Sequence, residues 1–553
     1  MHPGLRCALW PLGLAAVLAA PRDAAAQRAP VPVSRDTLRA HLFAIADDSM
    51  GGRDTGSPGD AEAADWVAAA FSRYALTPAG DNGTFFQAIP FWRVVLDTTS
   101  GLDVAGTHLA AGRDVLPFGI LMSWSVAGAA ALYAGAVDDS TTWPTTDQSG
   151  GKLLVFLPAR GGDLRATFRG LVALRRNPRF AKAAAFVLPG LESLPPAAAA
   201  QITESRITTD TMLFTLLRGS MIVTSAAASA LLGTPLPAAA PGVTGPPVRG
   251  SLTFKRVPLE YPARNVIAVL PGSDPVLRNT YVSVSAHHDH IGFAPPAVDH
   301  DSTRAFNRVV RPMGADSPPR EVGSEEAARI AALRDSLRAA HPARPDSIYN
   351  GADDDGSGTV ALVELARVLA SGPRPRRSIL FVSHAAEERG LLGSRWFTDH
   401  PTVPRDSIVA ELDMDMVGRG GATDLPHGGP GYLELVGSRR LSTELGSLIE
   451  TVAAAESAPF RFNYEYDVPN HPLQYYCRAD HFSYARYGIP SASLSTGEHL
   501  DYHQVTDEAQ YIDYAQLARV TTLVRDVALA LANLDHRPVV DGPRQDPNAP
   551  CRQ

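Results

Sequence analysis

The chain has 553 residues, 45% of them hydrophobic and 20% charged, with a formal net charge of −8. That length exceeds one ordinary hydrophobic core and implies about two or three folded units. The composition excludes a disordered chain, and the mild acidity supplies no basic footprint for nucleic acid.

Residues 1–26 have the form of a secretory signal. Arg6 gives the positive end, Leu9 to Ala20 is apolar, and Ala24-Ala25-Ala26 before Gln27 fits a cleavage site. The alternative, a membrane anchor, is opposed by the short apolar run and by Pro11 within it. No later stretch reaches spanning length, so the expectation is an exported protein, periplasmic or extracellular, with no stable membrane span once the signal is removed. Of Cys7, Cys477 and Cys551, the first leaves with the signal. The other two can form one disulfide only if the fold brings them together. Three cysteines cannot build a thiolate zinc site, so any metal must rest on His and carboxylate.

Residues 27–111 read as the first part of an α/β unit. Ser34 or Asp36 caps a helix through Leu38, Leu42 and Ile45, and a second helix runs from Ala61 to Tyr74. A strand is expected over Phe85 to Phe91. Residues 112–256 change character: Ala and Pro are abundant and ligand-type clusters vanish. Strands are expected at Lys152–Pro158 and Ala183–Leu188, a helix at Phe168–Arg175, and Pro235–Pro247 reads as a low-complexity stretch of the sort found at linkers and domain edges. This stretch is expected to be an inserted domain. From 257 to 540 the α/β rhythm returns, with strands at Asn265–Leu270, Tyr281–Ala286, Ser378, Ile408 and Ile489 and a helix over Gly358–Leu369. Between His290 and Asn350 lies an excursion with a helix near Ser324 that carries Ile330, Leu333 and Leu337 on one face. So long an excursion is more often a functional wall or lid than filler. Residues 541–553 read as a polar, frayed tail.

Ionisable residues recur where the apolar strands stop: His287-His288-Asp289-His290, Asp353-Asp354-Asp355, Glu387-Glu388, Asp413 and Asp501-Tyr502-His503. Each alone has a bland reading as a polar loop or cap. Together they point to a metal site, because parallel strands all end on one edge of an α/β sheet and these donors suit zinc.

The ordered motifs H-x-D, GADDDGSG, AAEE with GxxGS, LDMD and H-x-x-x-D resemble the co-catalytic di-zinc aminopeptidase family, whose relatives include glutamate-carboxypeptidase-type enzymes and glutaminyl cyclases. Arg53 to Gly59 and Asp480-His481-Phe482 are similar too. The resemblance implies a mixed, mostly parallel α/β sheet flanked by helices, of zinc-exopeptidase type. The inserted smaller α/β segment resembles a protease-associated domain in position and rhythm, a purely structural insertion being the alternative. Carried over position by position, the resemblance implies two zinc ions, one on His287 and Asp413, the other on Glu388 and His503, with Asp354 bridging. It implies Glu387 as general base and Tyr502 as the group that hydrogen-bonds the tetrahedral intermediate. Asp289 would orient His287, the Asp354–Asp355 peptide would be cis, and Arg478 and Asp480 would lie near the substrate pocket.

The function so implied is a secreted zinc aminopeptidase that hydrolyses N-terminal residues from peptides through a di-zinc-bound hydroxide with Glu387 as base. Its partners would be peptides with a free N-terminus. The alternatives are a carboxypeptidase, a glutaminyl cyclase, or a binding protein on a peptidase scaffold; loss of ligand positions would mark the last.

Overall fold

The computed structural model describes residue 1 and residues 31–118, 123–160, 164–194, 206–209, 219–339, 342–425 and 428–553. The expected signal lies outside the described residues. Among them no helix is long and apolar enough to cross a membrane.

The larger sheet has nine strands among the described residues. Its centre is four parallel strands in the order Ser378–His384, Tyr281–His287, Ile408–Met414, Ser491–Ser495. Arg264–Leu270 closes one flank antiparallel to Ser378–His384, and Tyr432–Val436 closes the other antiparallel to Ser491–Ser495. The alternation of strand side chains sorts the core into two layers. Ile379 and Phe381 face helices Arg35–Ile45, Pro58–Arg73, Gly358–Ser371 and Tyr514–Asn533, while Leu380 and Val382 face the opposite layer with Phe397 and Tyr484. The first helix starts where expected, with the Ser34 hydroxyl accepting from Thr37 N. The second begins earlier than expected, at Pro58, because Ser57 caps it and proline suits the first helical turn.

A second sheet, eight-stranded among the described residues, occupies residues 101–252. Gly101–Val104 and Thr107–Ala110 pair into it, so its sheet begins upstream of residue 112. The expected strands and helix appear as Leu153–Leu157, Ala185–Pro189 and Leu164–Arg176. The Pro235–Pro247 stretch is connection only in part. Its last residues enter the strand Thr244–Leu252, which is paired on both sides. A register shift between Thr244 and Pro247 takes up the prolines, which cannot donate to a ladder. The chain enters and leaves this sheet on two strands that pair with each other, Trp92–Leu96 and Phe254–Pro258.

The excursion after His290 is built of a two-stranded ribbon, Phe293–Asp299 with Pro345–Ile348, and helices His300–Val310 and Ser324–Arg338. The sequence pattern suggested only the last of these, whose apolar face is half-buried with no fully buried residue. The tail is anchored rather than frayed: Cys477 and Cys551 form a disulfide, and Gln553 Oε1 accepts from Tyr476 N at 2.9 Å.

Candidate metal centre and active site

The four parallel strands deliver their carboxyl ends to one edge, where the ionisable residues gather. His287 is the last residue of its strand. Gly351 to Gly358 forms a tight buried turn that leads into the helix Gly358–Ser371. Gly351 has φ +51°, and a Cβ there would lie 2.2 Å from Asp354 O and 2.5 Å from the His290 ring, so only glycine fits. The peptide Asp354–Asp355 is cis, as the resemblance implied. Ala386, Met416 and His503, beside or within the cluster, hold left-handed φ values of 59°, 58° and 52°. Such conformations cost about 1–3 kcal/mol each and gather at functional sites.

Two groups of donors share Asp354. One is His290, Asp354, Glu388 and His503; the other is His287, Asp354 and Asp415. His503 Nε2 lies 2.9 Å from Asp354 Oδ2 and 3.0 Å from Glu388 Oε2, and His290 Nδ1 lies 2.7 Å from Glu388 Oε1. In the second group, His287 Nε2 is 3.3 Å from Asp354 Oδ1 and 3.7 Å from Asp415 Oδ1. Glu387 Oε2 stands 3.9 Å from the same nitrogen. Four of the five expected ligand residues therefore converge, with Asp354 central.

Asp413 does not join them. It sits inside the strand Ile408–Met414, in register with Ser285 and Ser493, and its Oδ1 accepts from the Ser285 hydroxyl. Asp415 is past the strand end and lines the cavity instead. The motif LDMD offers two carboxylates two residues apart, and only the strand's end decides between them. His290, grouped in the sequence with the ionisable residues at the strand ends but given no ligand role, is fully buried and faces Glu388.

The surrounding network fixes these groups. Asp355 accepts from the backbone N–H of His287 at 3.1 Å, Gly358 at 3.0 Å and Met416 at 3.1 Å. Asp507 accepts from Asp353 N and Asp354 N. Asp289 stands against the His287 ring, as expected, and has a second contact. The His287 Nδ1 contact is to the Asp289 main-chain oxygen at 3.1 Å, the carboxylate being 3.6 Å away. That carboxylate accepts from Glu387 N at 3.0 Å and from Thr55 Oγ1 at 3.1 Å, so it holds the glutamate turn.

The protonation balance follows from burial and crowding. Burial drives the Glu387 carboxyl well above its ordinary range; His287 opposes this, while Glu388 and Asp415 reinforce it. Burial and Asp354 push Glu388 upward too, yet His503 and His290 outweigh them and hold it down at about 2. Both His287 and His503 lie well above the ordinary histidine value: burial lowers them, but the facing carboxylates prevail.

The donor set fits zinc. His287 Nε2, both ring nitrogens of His290, Glu388 Oε1 and His503 Nε2 are buried without a hydrogen-bond partner among the described residues. They are near carboxylates without being aligned to bond them, the arrangement of donors that share a focus. Buried polar groups this numerous are otherwise satisfied, and imidazole plus carboxylate is a zinc-type donor set.

Beside the donors opens a cavity of about 270 Å³, lined also by Met416, Glu434, Tyr475, Arg478, Glu498 and Tyr502. Tyr502 lies stacked on His503, ring centroids 4.1 Å apart, and its hydroxyl accepts from Arg478 Nη2 at 3.0 Å. Arg478 also binds Asp316 at 2.5 Å and Glu498 at 3.2 Å. Asp480, expected near the pocket, is buried close to Asp413 and Glu411 and does not line the cavity, and burial pushes its carboxyl up to about 7. Glu434 and Glu498 went unnoticed in the sequence because neither belongs to a motif.

Fold and donors together define a class: an α/β protein with a two-lobed candidate cation site at the carboxyl edge of the four parallel strands of a mixed sheet. Residues 323–528 match the model of peptidase family M28. The leucine aminopeptidase 1 of Paracoccidioides brasiliensis is 33% identical over 194 residues, 32% of this chain and 47% of that protein. Aminopeptidase YwaD of Bacillus subtilis is 45% identical over 67 residues, 12% of this chain and 14% of its own. The chain thus spans about half, or less, of the curated relatives it matches. Among solved structures, an aminopeptidase from Aneurinibacillus sp. strain AM-1 aligns over 93% of this chain and 98% of its own at 17% identity, with a TM-score of 0.47.

Proposed function

We propose that this protein is an exported, zinc-dependent aminopeptidase that removes the first residue of peptides. Its two zinc ions would be held by His287, Asp354 and Asp415 and by Asp354, Glu388 and His503, with His290 beside the second. Bound zinc would polarise the scissile carbonyl and lower the pKa of an attacking water. Glu387 takes a proton from that water as its oxygen attacks the carbonyl carbon, then passes it to the departing amine as the C–N bond breaks. The Tyr502 hydroxyl, which already accepts from Arg478, has its proton free for the oxygen that becomes anionic.

The charge of the cavity carries the choice of peptide end. Among the described residues Arg478 is the only Arg or Lys that lines it, and this group is already held by Asp316 and Glu498. A substrate C-terminal carboxylate would meet Asp354, Glu387, Asp415 and Glu434 with no free cation, whereas a free ammonium meets complementary charge.

The test pairs substrate choice with one variant. The purified chain should hydrolyse aminoacyl p-nitroanilides, lose activity on chelation, regain it with zinc, and ignore N-acetylated analogues. Glu387→Gln should keep two zinc ions by mass spectrometry while kcat falls by on the order of 10³-fold or more. Release of C-terminal residues from N-acetylated peptides would reverse the reading.

A further inference from the structure

We infer that the cavity is a subsite for a positively charged side chain on the first residue of the substrate, with Glu434 as the anion that receives it. The inference rests on the aminopeptidase reading above and adds the class of residue removed.

Glu434 sits on the strand Tyr432–Val436, opposite Ser495, and is 2% exposed. Its Oε1 accepts from the Tyr432 hydroxyl at 2.7 Å, while Oε2 has no hydrogen-bond partner and no Arg, Lys or His pairs with it among the described residues. Such a buried carboxylate is costly unless something completes it. Glu434 lines the same cavity as Glu387, Asp415 and His503. Gly497 makes room for it, since a Cβ there would lie 2.4 Å from Glu434 Oε1. Above it the cavity presents Met416, Val436 and Tyr475, apolar surface suited to the methylene stem of lysine or arginine. A second buried carboxyl, Glu498, is close enough to repel Glu434. Glu498 already has Arg478 and the Tyr475 hydroxyl, so Glu434 is the acid left for a ligand. Burial pushes Glu434 up to about 7, and an arriving cation would draw it back into its ionised form.

The decisive comparison is lysine against norleucine, which has a similar unbranched stem and no charge. On the zinc-loaded enzyme at pH 8, kcat/KM for lysyl p-nitroanilide should exceed that for the norleucyl compound by about 10-fold or more, with the arginyl substrate alongside lysine. In Glu434→Gln that ratio should collapse toward one. Lysine hydroxamate should likewise bind wild type more tightly than norleucine hydroxamate by calorimetry, which keeps the test open if the variant fails to fold. Equal rates and equal binding for the two side chains, or a lysine preference that survives in Glu434→Gln, would overturn the inference. Hydrolysis without charge preference would sink the subsite and leave the aminopeptidase reading standing. Lysine-selective hydroxamate binding without hydrolysis of any anilide would sink that reading and leave the subsite. Neither binding preference nor hydrolysis would remove both.

Discussion

Asp413 and Asp415 show how far one residue's role depends on where a strand stops. Asp413 is locked in the ladder between Ser285 and Ser493, where burial, reinforced by Asp480 and Asp415, pushes its carboxyl well above the ordinary range. Asp415 lies past the last strand residue, where its carboxylate turns to His287. Asp415→Asn should therefore weaken metal binding by at least about 10-fold, since it replaces a charged donor in a three-residue group. Asp413→Asn should retain the metal and, with one repulsive charge removed, unfold no more easily than wild type. Metal content by mass spectrometry and a denaturation midpoint decide it. Loss of metal in Asp413→Asn with retention in Asp415→Asn would exchange the two roles.

At the scale of elements, one buried arginine joins the loops of the site. Arg53 is fully buried and donates through Nε to His288 O at 2.8 Å and through Nη1 to Ile45 O at 3.0 Å and Asn350 O at 2.6 Å. Its Nη2 donates to Gly351 O at 2.8 Å. It thereby fastens the end of the first helix to both the His287–His290 turn and the Asp353–Asp355 turn. Nearby, Asp54 pairs with Arg389, just after the glutamate turn. Arg53→Met keeps much of the volume but strands four carbonyls and leaves nearby carboxylates without their cation. Its expected cost is about 3–5 kcal/mol of apparent unfolding free energy, together with weaker zinc binding. A denaturant titration of the zinc-free chain separates the stability loss from the binding loss. An unchanged midpoint would show that water replaces the guanidinium at no cost.

Across the whole molecule, the last residues fold back on the site's wall. The Cys477–Cys551 disulfide closes a segment of 74 residues, and Cys477 stands next to Arg478 and two residues from Tyr475. Gln553 reinforces the anchor by donating to Tyr466 O at 3.0 Å. Closing a loop of that length stabilises a protein by about 2–4 kcal/mol. Cys551→Ser should lose about that much. It should also raise KM more than it lowers kcat, because the wall that contacts substrate loosens while the metal donors lie on other segments. Equal kinetics in the variant and wild type would confine the disulfide to stability alone.

Much of this protein was legible in its sequence, for a physical reason. Buried parallel strands are continuous apolar runs, and a mostly parallel sheet sends the residues after each run to one edge. His287, Asp354, Glu387, Glu388 and His503 could be read as one cluster from those runs and from the family's motifs alone. The helices capped by Ser34 and led by Gly358 were likewise local, set by a hydroxyl and by 3.6-residue spacing. Tertiary structure decided what local pattern leaves open. That Asp415 and not Asp413 faces His287 rested on a strand end, and the burial of His290 on a ring packed against Gly351. Pro246 and Pro247 became part of a strand because neighbours on both sides pair with it around a register shift. Cys477 and Cys551 met only because the tail folds back. Glu434 lay in an undistinguished apolar strand, and only the sheet's closure put its carboxylate on the cavity wall.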